Sequence, residues 1–259
     1  MADGTLVSGS VPAASSPTLR AIFRAEDEEG LIRAFLGERA GFFVDVGAAE
    51  PEFGSQTFHL EQSGWTGVLV EPRPEQAGKL RGSRRAAVFA VACSSPANAG
   101  RSMPLRLRGG YSSLNETLVI SGLEPQGVIE VPIRTLDDIL TEVKAPAPID
   151  FVSIDVEGHE TEVLDGFDLA RWRPRLILIE DHVLDLTLHR HLQARGYKWV
   201  RRTGLNGWYV AADDPMEVGW LGRLQFIRKY YLNMPTRWVR DAVRRVRASL
   251  GILPPSHGR

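Results

Sequence analysis

Five short apolar runs punctuate the chain, at 42–46, 67–70, 87–91, 149–154 and 176–179. Their apolar positions are continuous rather than alternating, which predicts strands buried on both faces in a parallel sheet flanked by helices. Helical spacing lies between and before them. Leu31, Ile32, Phe35 and Leu36 recur three and four apart before the breaker Gly41, while 56–63, 74–80 and 160–164 suit crossover helices. Near the end, 197–201 and 208–211 flank Gly204-Leu205-Asn206-Gly207, where the Asn-Gly step predicts a hairpin turn. The pattern predicts an open α/β sheet closed by an antiparallel pair.

The two ends read differently. Residues 1–18 are rich in Ser, Ala, Gly and Pro without apolar periodicity, and form a loose arm. In 218–259, Trp220, Leu221, Leu224, Ile227 and Tyr231 make one helical stripe, and Val239, Val243, Val246 and Leu250 another. The expected division is an arm at 1–18, a main domain at 19–217 and a basic amphipathic extension at 218–259.

Charge sharpens that division. Lys+Arg number 31 and Asp+Glu 32, for a net charge of −1. Residues 218–259 hold nine basic side chains against Asp241 alone, a charge of +8, which leaves −9 on the rest. Such a tail either lies on an anionic surface or packs its apolar face on the domain or a second subunit, leaving the arginines in water. Packing is the simpler reading. The acidic body and sparse aromatic interleaving argue against a nucleic-acid partner. Cys93 is the single cysteine, which excludes a disulfide framework and a Cys-rich zinc site. No apolar run nears the ~20 residues of a membrane span, and the N-terminus lacks signal-peptide character. A cytoplasmic protein is expected, with the tail as its one route to a membrane.

Ligands of such sheets bind beyond the carboxyl ends of the strands. There the sequence places Asp45, Gly47 and Ala49; then Glu71; then Ala92 and Cys93; then Asp155, Glu157 and His159; and then Glu180, Asp181 and His182. Carboxylates after four of five runs point to a site. The turn after Asp45 is small, and Gly47 suits a close backbone approach. Glu71, one strand–helix–strand unit later, can accept both hydroxyls of a ribose. Blander readings are a turn or helix cap for Asp45 and a plain loop carboxylate for Glu71. No Gly-x-Gly-x-x-Gly or Gly-Lys-Ser/Thr loop is present, which disfavours NAD and ATP. An acid just inside the turn favours a cationic ligand.

Phe43 to Ala48, Glu71, Thr135 to Leu140 and Asp150 to Glu160 together resemble the FkbM family of S-adenosylmethionine-dependent methyltransferases. The similarity spans roughly 40–185, and Ile154-Asp155-Val156-Glu157-Gly158-His159-Glu160 is its most specific piece. The resemblance implies the class I methyltransferase fold, Rossmann-like, seven-stranded and mostly parallel with its last strand antiparallel. It further implies that Asp45, Gly47 and Ala48 face the methionine moiety, Glu71 the ribose and Ala92–Cys93 the adenine, with Asp155 also at the cofactor. Ala49 stands where related motifs often carry glycine. The implied acceptor is a hydroxyl of a sugar, glycan or polyketide-like product, as in polysaccharide biosynthesis.

Methyl transfer to a hydroxyl needs the acceptor held in line and its proton removed. His159 and His182 are the candidate bases, alongside Asp155. Grouped carboxylates also suit Mg²⁺, with Asp155, Glu180 and Asp181 as ligands. Against this, Glu157 and Glu160 can simply favour a helix N-terminus, and His182 can cap a strand. The stretch 108–114, Arg-Gly-Gly-Tyr-Ser-Ser-Leu, reads equally as an active-site loop or a surface connection. Rivals are a metal-dependent hydrolase using the acids of 155–182 and a non-catalytic scaffold retaining the fold.

Overall fold

The computed structural model describes residues 27–116, 126–181 and 186–249; the arm at 1–18 and His182 lie outside them. Helix and strand alternate through α1 (Glu28–Leu36), β1 (Phe42–Val46), α2 (Phe58–Gln62), β2 (Thr66–Val70), α3 (Pro74–Ser83) and β3 (Ala87–Phe89). After β4 (Ala92–Cys93), β5 (Ser102–Leu107) and β6 (Gly127–Arg134), the alternation resumes. It continues with α4 (Leu136–Glu142), β7 (Phe151–Ile154), α5 (Glu160–Asp165), α6 (Leu169–Trp172), β8 (Leu176–Glu180) and α7 (Thr187–Ala194). The hairpin β9 (Tyr197–Thr203) and β10 (Asn206–Ala211) leads into α8 (Trp220–Phe226), a π-helical segment Ile227–Leu232 and α9 (Asn233–Ser249).

Seven strands form one sheet in the order β3-β2-β1-β7-β8-β10-β9. Pairs among the first five are parallel, and β10 runs antiparallel to both of its neighbours. The α/β class, the seven strands and the antiparallel last strand match the expectation. Successive side chains of a strand point to opposite faces. Val44 and Val46 therefore join a core with α4, α5 and α7, whereas Phe43 joins the opposite core with Ile32, Leu60 and Leu80 of α1–α3. Strand order reverses between β1 and β7. That switch point opens the crevice in which such sheets bind ligands.

Two local expectations are corrected. The run 87–91 is shorter as a strand: β3 stops at Phe89, and the Ala92–Cys93 segment after it pairs with β6 in a second sheet, β4-β6-β5. That sheet was hidden because Pro104 and Pro132 interrupt its strands, and proline reads against a strand. The hairpin turns on Gly204-Leu205 instead of Asn-Gly, with Asn206 paired to Thr203 and Gly204 at φ 52°. Asn206 is a strand residue whose amide nitrogen donates to Glu28 Oε2 at 3.0 Å, tying the hairpin to α1.

Candidate active site

A cavity open to solvent lies at the switch point. Gly47 makes its floor possible. Its φ is 89°, and a Cβ there would lie 1.8 Å from the Asp155 carbonyl oxygen, so β1 and β7 close together only with glycine. Ala49 follows at φ 48°, a left-handed position that costs a residue bearing a Cβ roughly 1 kcal/mol. Its N–H donates to Glu71 Oε2 at 2.9 Å, which fixes the turn to the end of β2.

Glu71 is buried and lines the cavity. Oε1 accepts from the Arg73 backbone N–H at 2.9 Å and from Arg73 Nε at 2.8 Å; Oε2 accepts from Arg73 Nη2 at 3.3 Å as well as from Ala49. Arg73 also reaches the Gly109 carbonyl at 2.8 Å, joining Glu71 to the 108–112 loop. Nothing in the chain's periodicity flags Arg73; its place two residues after Glu71 in Glu-Pro-Arg is the only cue.

The 108–114 stretch is a wall of the cavity, with Gly110, Ser112 and Leu114 lining it beside Leu105, Val91, Ala92 and Cys93. It is pinned: Ser113 Oγ donates to the Glu157 carbonyl at 2.6 Å, and Asn115 Nδ2 to the Gly158 carbonyl at 3.0 Å. Burial pushes the Cys93 thiol up to about 12, so this cysteine acts as a small apolar wall residue.

Opposite lies an acidic group. Asp155, Glu157 and Glu180 bring one carboxylate oxygen each to within 4.8 Å of one another. Glu157 belongs here because its backbone is left-handed, φ 55°, and Gly158 follows at 89°; the reversal precedes α5 and puts Glu157 outside that helix's N-terminal turn. Glu160 takes the helix-end role instead, accepting from the Gly158 N–H at 3.0 Å. Enclosure, then the charges of Glu180 and Glu157, raises the Asp155 carboxyl well above its usual range. Its side chain is nevertheless exposed, and solvent there weakens both effects.

Other expected residues lie elsewhere. Asp45 does not line the cavity, because the alternation of β1 turns it toward α2 and α3. There Thr57 Oγ1 donates to Asp45 Oδ2 at 2.7 Å and accepts from Arg84 Nη2 at 3.1 Å, while Arg84 Nε pairs with Glu61 at 2.8 Å. Desolvation lifts the Asp45 carboxyl to about 6 despite the Thr57 hydrogen bond and the Arg84 charge. Ala48 is buried in the same core and likewise outside the lining. Asp181 also parts from the acidic group: Tyr230 OH donates to its Oδ2 at 2.5 Å, and Arg202 Nη1 lies 3.9 Å from the same oxygen. His159 does line the cavity, but its Nε2 is hydrogen-bonded to Ser94 Oγ at 2.9 Å and its Nδ1 faces Glu162 at 3.7 Å. Burial lowers its pKa, so it is neutral at neutral pH.

Among the described residues, no helix is long and apolar enough to cross a membrane. Residues 45–199, more than half of the chain, match the methyltransferase FkbM domain. Among solved structures, the chain is similar to the methyltransferase FkbM from Methylobacillus flagellatus KT, at 17% identity and TM-score 0.43 over 66% of this chain and 43% of that one. It is also similar to the precorrin-6y C5,15-methyltransferase of Geobacter metallireducens GS-15 (12% identity, TM-score 0.40, 76% of this chain and 90% of that). A third is the human methyltransferase 10 domain containing protein (14%, 0.39, 74% and 80%). The chain spans less than half the length of the first of these. No curated protein matches it. Through the match over 45–199, the chain belongs to the FkbM family of methyltransferases.

Proposed function

We propose that this methyltransferase uses S-adenosylmethionine to methylate a hydroxyl of a sugar or glycan. The observation that carries the reading is the convergence, around one cavity, of the Gly47 turn, the Glu71 carboxylate and the acidic group of Asp155 and Glu157. These residues suit that cofactor: Glu71 offers oxygens for two ribose hydroxyls, the apolar wall of Val91, Ala92, Leu105 and Leu114 suits a flat base, and acids favour a cationic end. When bound, the cofactor supplies a methyl group on a positively charged sulfur. The chain's part is to hold the acceptor in line, shield the site from bulk water and take the hydroxyl proton.

For that proton, the basic candidates at the cavity are His159 and the acidic group. His159 is neutral and has one ring lone pair, which is free at Nδ1 when Nε2–H donates to Ser94 Oγ; when the Ser94 hydroxyl donates instead, the lone pair at Nε2 is engaged and the ring must turn toward the cavity to accept. The acidic group is also a donor set suited to a hard divalent cation, which would acidify a bound hydroxyl. Glu157 replaces Asp181 in that set, since Asp181 is held by Tyr230.

The test is calorimetric titration with S-adenosylhomocysteine, in EDTA and then in Mg²⁺, on the wild type and on Glu71→Ala. Binding in both buffers, weakened about tenfold or more by loss of the charged acceptor, supports the cofactor assignment. Absence of binding to the wild type in both buffers overturns it. Methyl transfer to a sugar acceptor that requires Mg²⁺ and is lost in Glu157→Gln would assign the metal.

A further inference from the structure

We propose that the C-terminal extension is a peripheral anchor that lies in the interface of an anionic lipid bilayer. Among the described residues, α8 and the π-helical segment dock on the domain. Tyr230 is fully buried, stacked on Phe226 with ring centroids 4.5 Å apart, and Phe226 meets Trp199 edge-on at 5.2 Å. Tyr230 OH reaches Asp181, and Gln225 Oε1 accepts from the Arg202 N–H at 3.1 Å. Gly222 permits this approach, since a Cβ there would lie 2.7 Å from the Val200 carbonyl oxygen.

With those side chains committed, a set of large apolar residues is left exposed. Trp220 is 72% exposed and Tyr231 61%, with Leu224 and Ile227 exposed between them at helical spacing. In α9, Trp238 is 63% exposed, and Val239, Val243 and Val246 are exposed at intervals of four and three. The packing on the domain expected of these stripes fails for Trp220, Leu224, Ile227 and Tyr231 and for Val239, Val243 and Val246; Phe226 and Tyr230, outside the stripes, make the contact instead. Basic residues interleave with the exposed set in sequence, and 218–259 carry +8 against −9 on the rest of the chain.

Charge selects the occupant. A second copy docking through the same face would set +8 against +8, and a closed two-fold pair uses one patch on both subunits. An anionic surface instead attracts the extension and repels the body, which orients the molecule. Exposed tryptophans among arginines suit a bilayer interface, where the rings sit at the headgroups and the cations meet phosphate. The root of the anchor is held by Asp181, next in sequence to Glu180 of the acidic group, so the lipid contact adjoins the carboxyl edge of the sheet. None of this depends on the cofactor assignment.

The experiment is sedimentation of the full chain with vesicles of phosphatidylcholine alone and of phosphatidylcholine mixed with phosphatidylglycerol. Binding is expected to the mixed vesicles only. It should fall steeply from 0.1 to 1 M salt, as the screening length shrinks from about 10 to about 3 Å. The variant Trp238→Glu/Val243→Glu alters exposed positions, so it should keep the wild-type melting temperature while losing at least about tenfold in bound fraction. Arg244→Gln/Arg245→Gln should lose roughly tenfold or more, each basic group near an anionic surface contributing about fivefold. The proposal is overturned by no binding at low salt, by equal binding to both vesicle types, or by binding indifferent to the variants. A dimer in sedimentation velocity that Trp238→Glu dissociates, without vesicle binding, would make the face a subunit interface and overturn it too.

Discussion

Glu71 shows how much a single side chain can carry. A carboxylate has about four acceptor positions, and here two backbone N–H groups and two guanidinium nitrogens take them. If Glu71 holds a ribose, the Arg73 guanidinium occupies the places that two hydroxyls would use, and it must leave, releasing Gly109 as it goes. Arg73→Ala removes the competitor, so S-adenosylhomocysteine should bind more tightly, by up to about tenfold, in calorimetry; weaker binding would mean that Arg73 orients Glu71 instead of masking it. Asp45 gives a pH prediction. Its folded pKa, about 6, lies above the ordinary 3.8, so the native state binds the extra proton between those values. Its contribution to stability is therefore greatest below about pH 4 and is lost as pH rises through 6. Asp45→Asn should raise the melting temperature at pH 7.5, by the equivalent of a few kcal/mol at most, and change little at pH 4. Loss of cofactor binding in the same variant would show that this buried carboxylate acts on the cavity from behind the strand.

Elements constrain function through the faces they spend. The α8–π–α9 extension spends Phe226 and Tyr230 on the domain and keeps Trp220 and Trp238 outside. Tyr230→Phe leaves the stacking intact but takes the donor from a buried carboxylate, a loss of about 1–3 kcal/mol. In a domain of this size that lowers the melting temperature by about 2–4 °C per kcal/mol. A variant melting like the wild type would mean that the remaining partners of Asp181 suffice. The β4-β6-β5 sheet acts in the same way: it supplies Ala92, Cys93 and Leu105 to one wall and carries the loop after β5, which Ser113 and Asn115 hold against the 157–158 turn.

At the scale of the whole molecule, the acidic domain and the basic extension are coupled by packing. Deleting 218–259 would bare Trp199 and remove the burial of Phe226 and Tyr230, a cost of about 3–6 kcal/mol at about 1.5–3 per buried aromatic side chain. The truncated chain is expected to melt well below Tyr230→Phe, so the point variants are the cleaner probes of lipid contact. The parallel strands, their crossover helices and the strand-end acids were legible in the sequence, because a strand buried on both faces must be continuously apolar and its end is where the run stops. The second sheet was not, because its prolines mask a strand pattern that only pairing reveals. For the site, Gly47, Glu71, Asp155 and His159 were legible by position at strand ends, and each lines the cavity. Asp45 and Asp181 occupy strand ends too, yet the first points under the sheet and the second to Tyr230. The sequence by itself determined which residues reach the carboxyl edge of the sheet, since local hydrophobic pattern sets where each strand ends. Only the tertiary structure decided which way each side chain turns there, because that depends on the sheet's alternation and on partners from other elements, such as Thr57 for Asp45 and Tyr230 for Asp181.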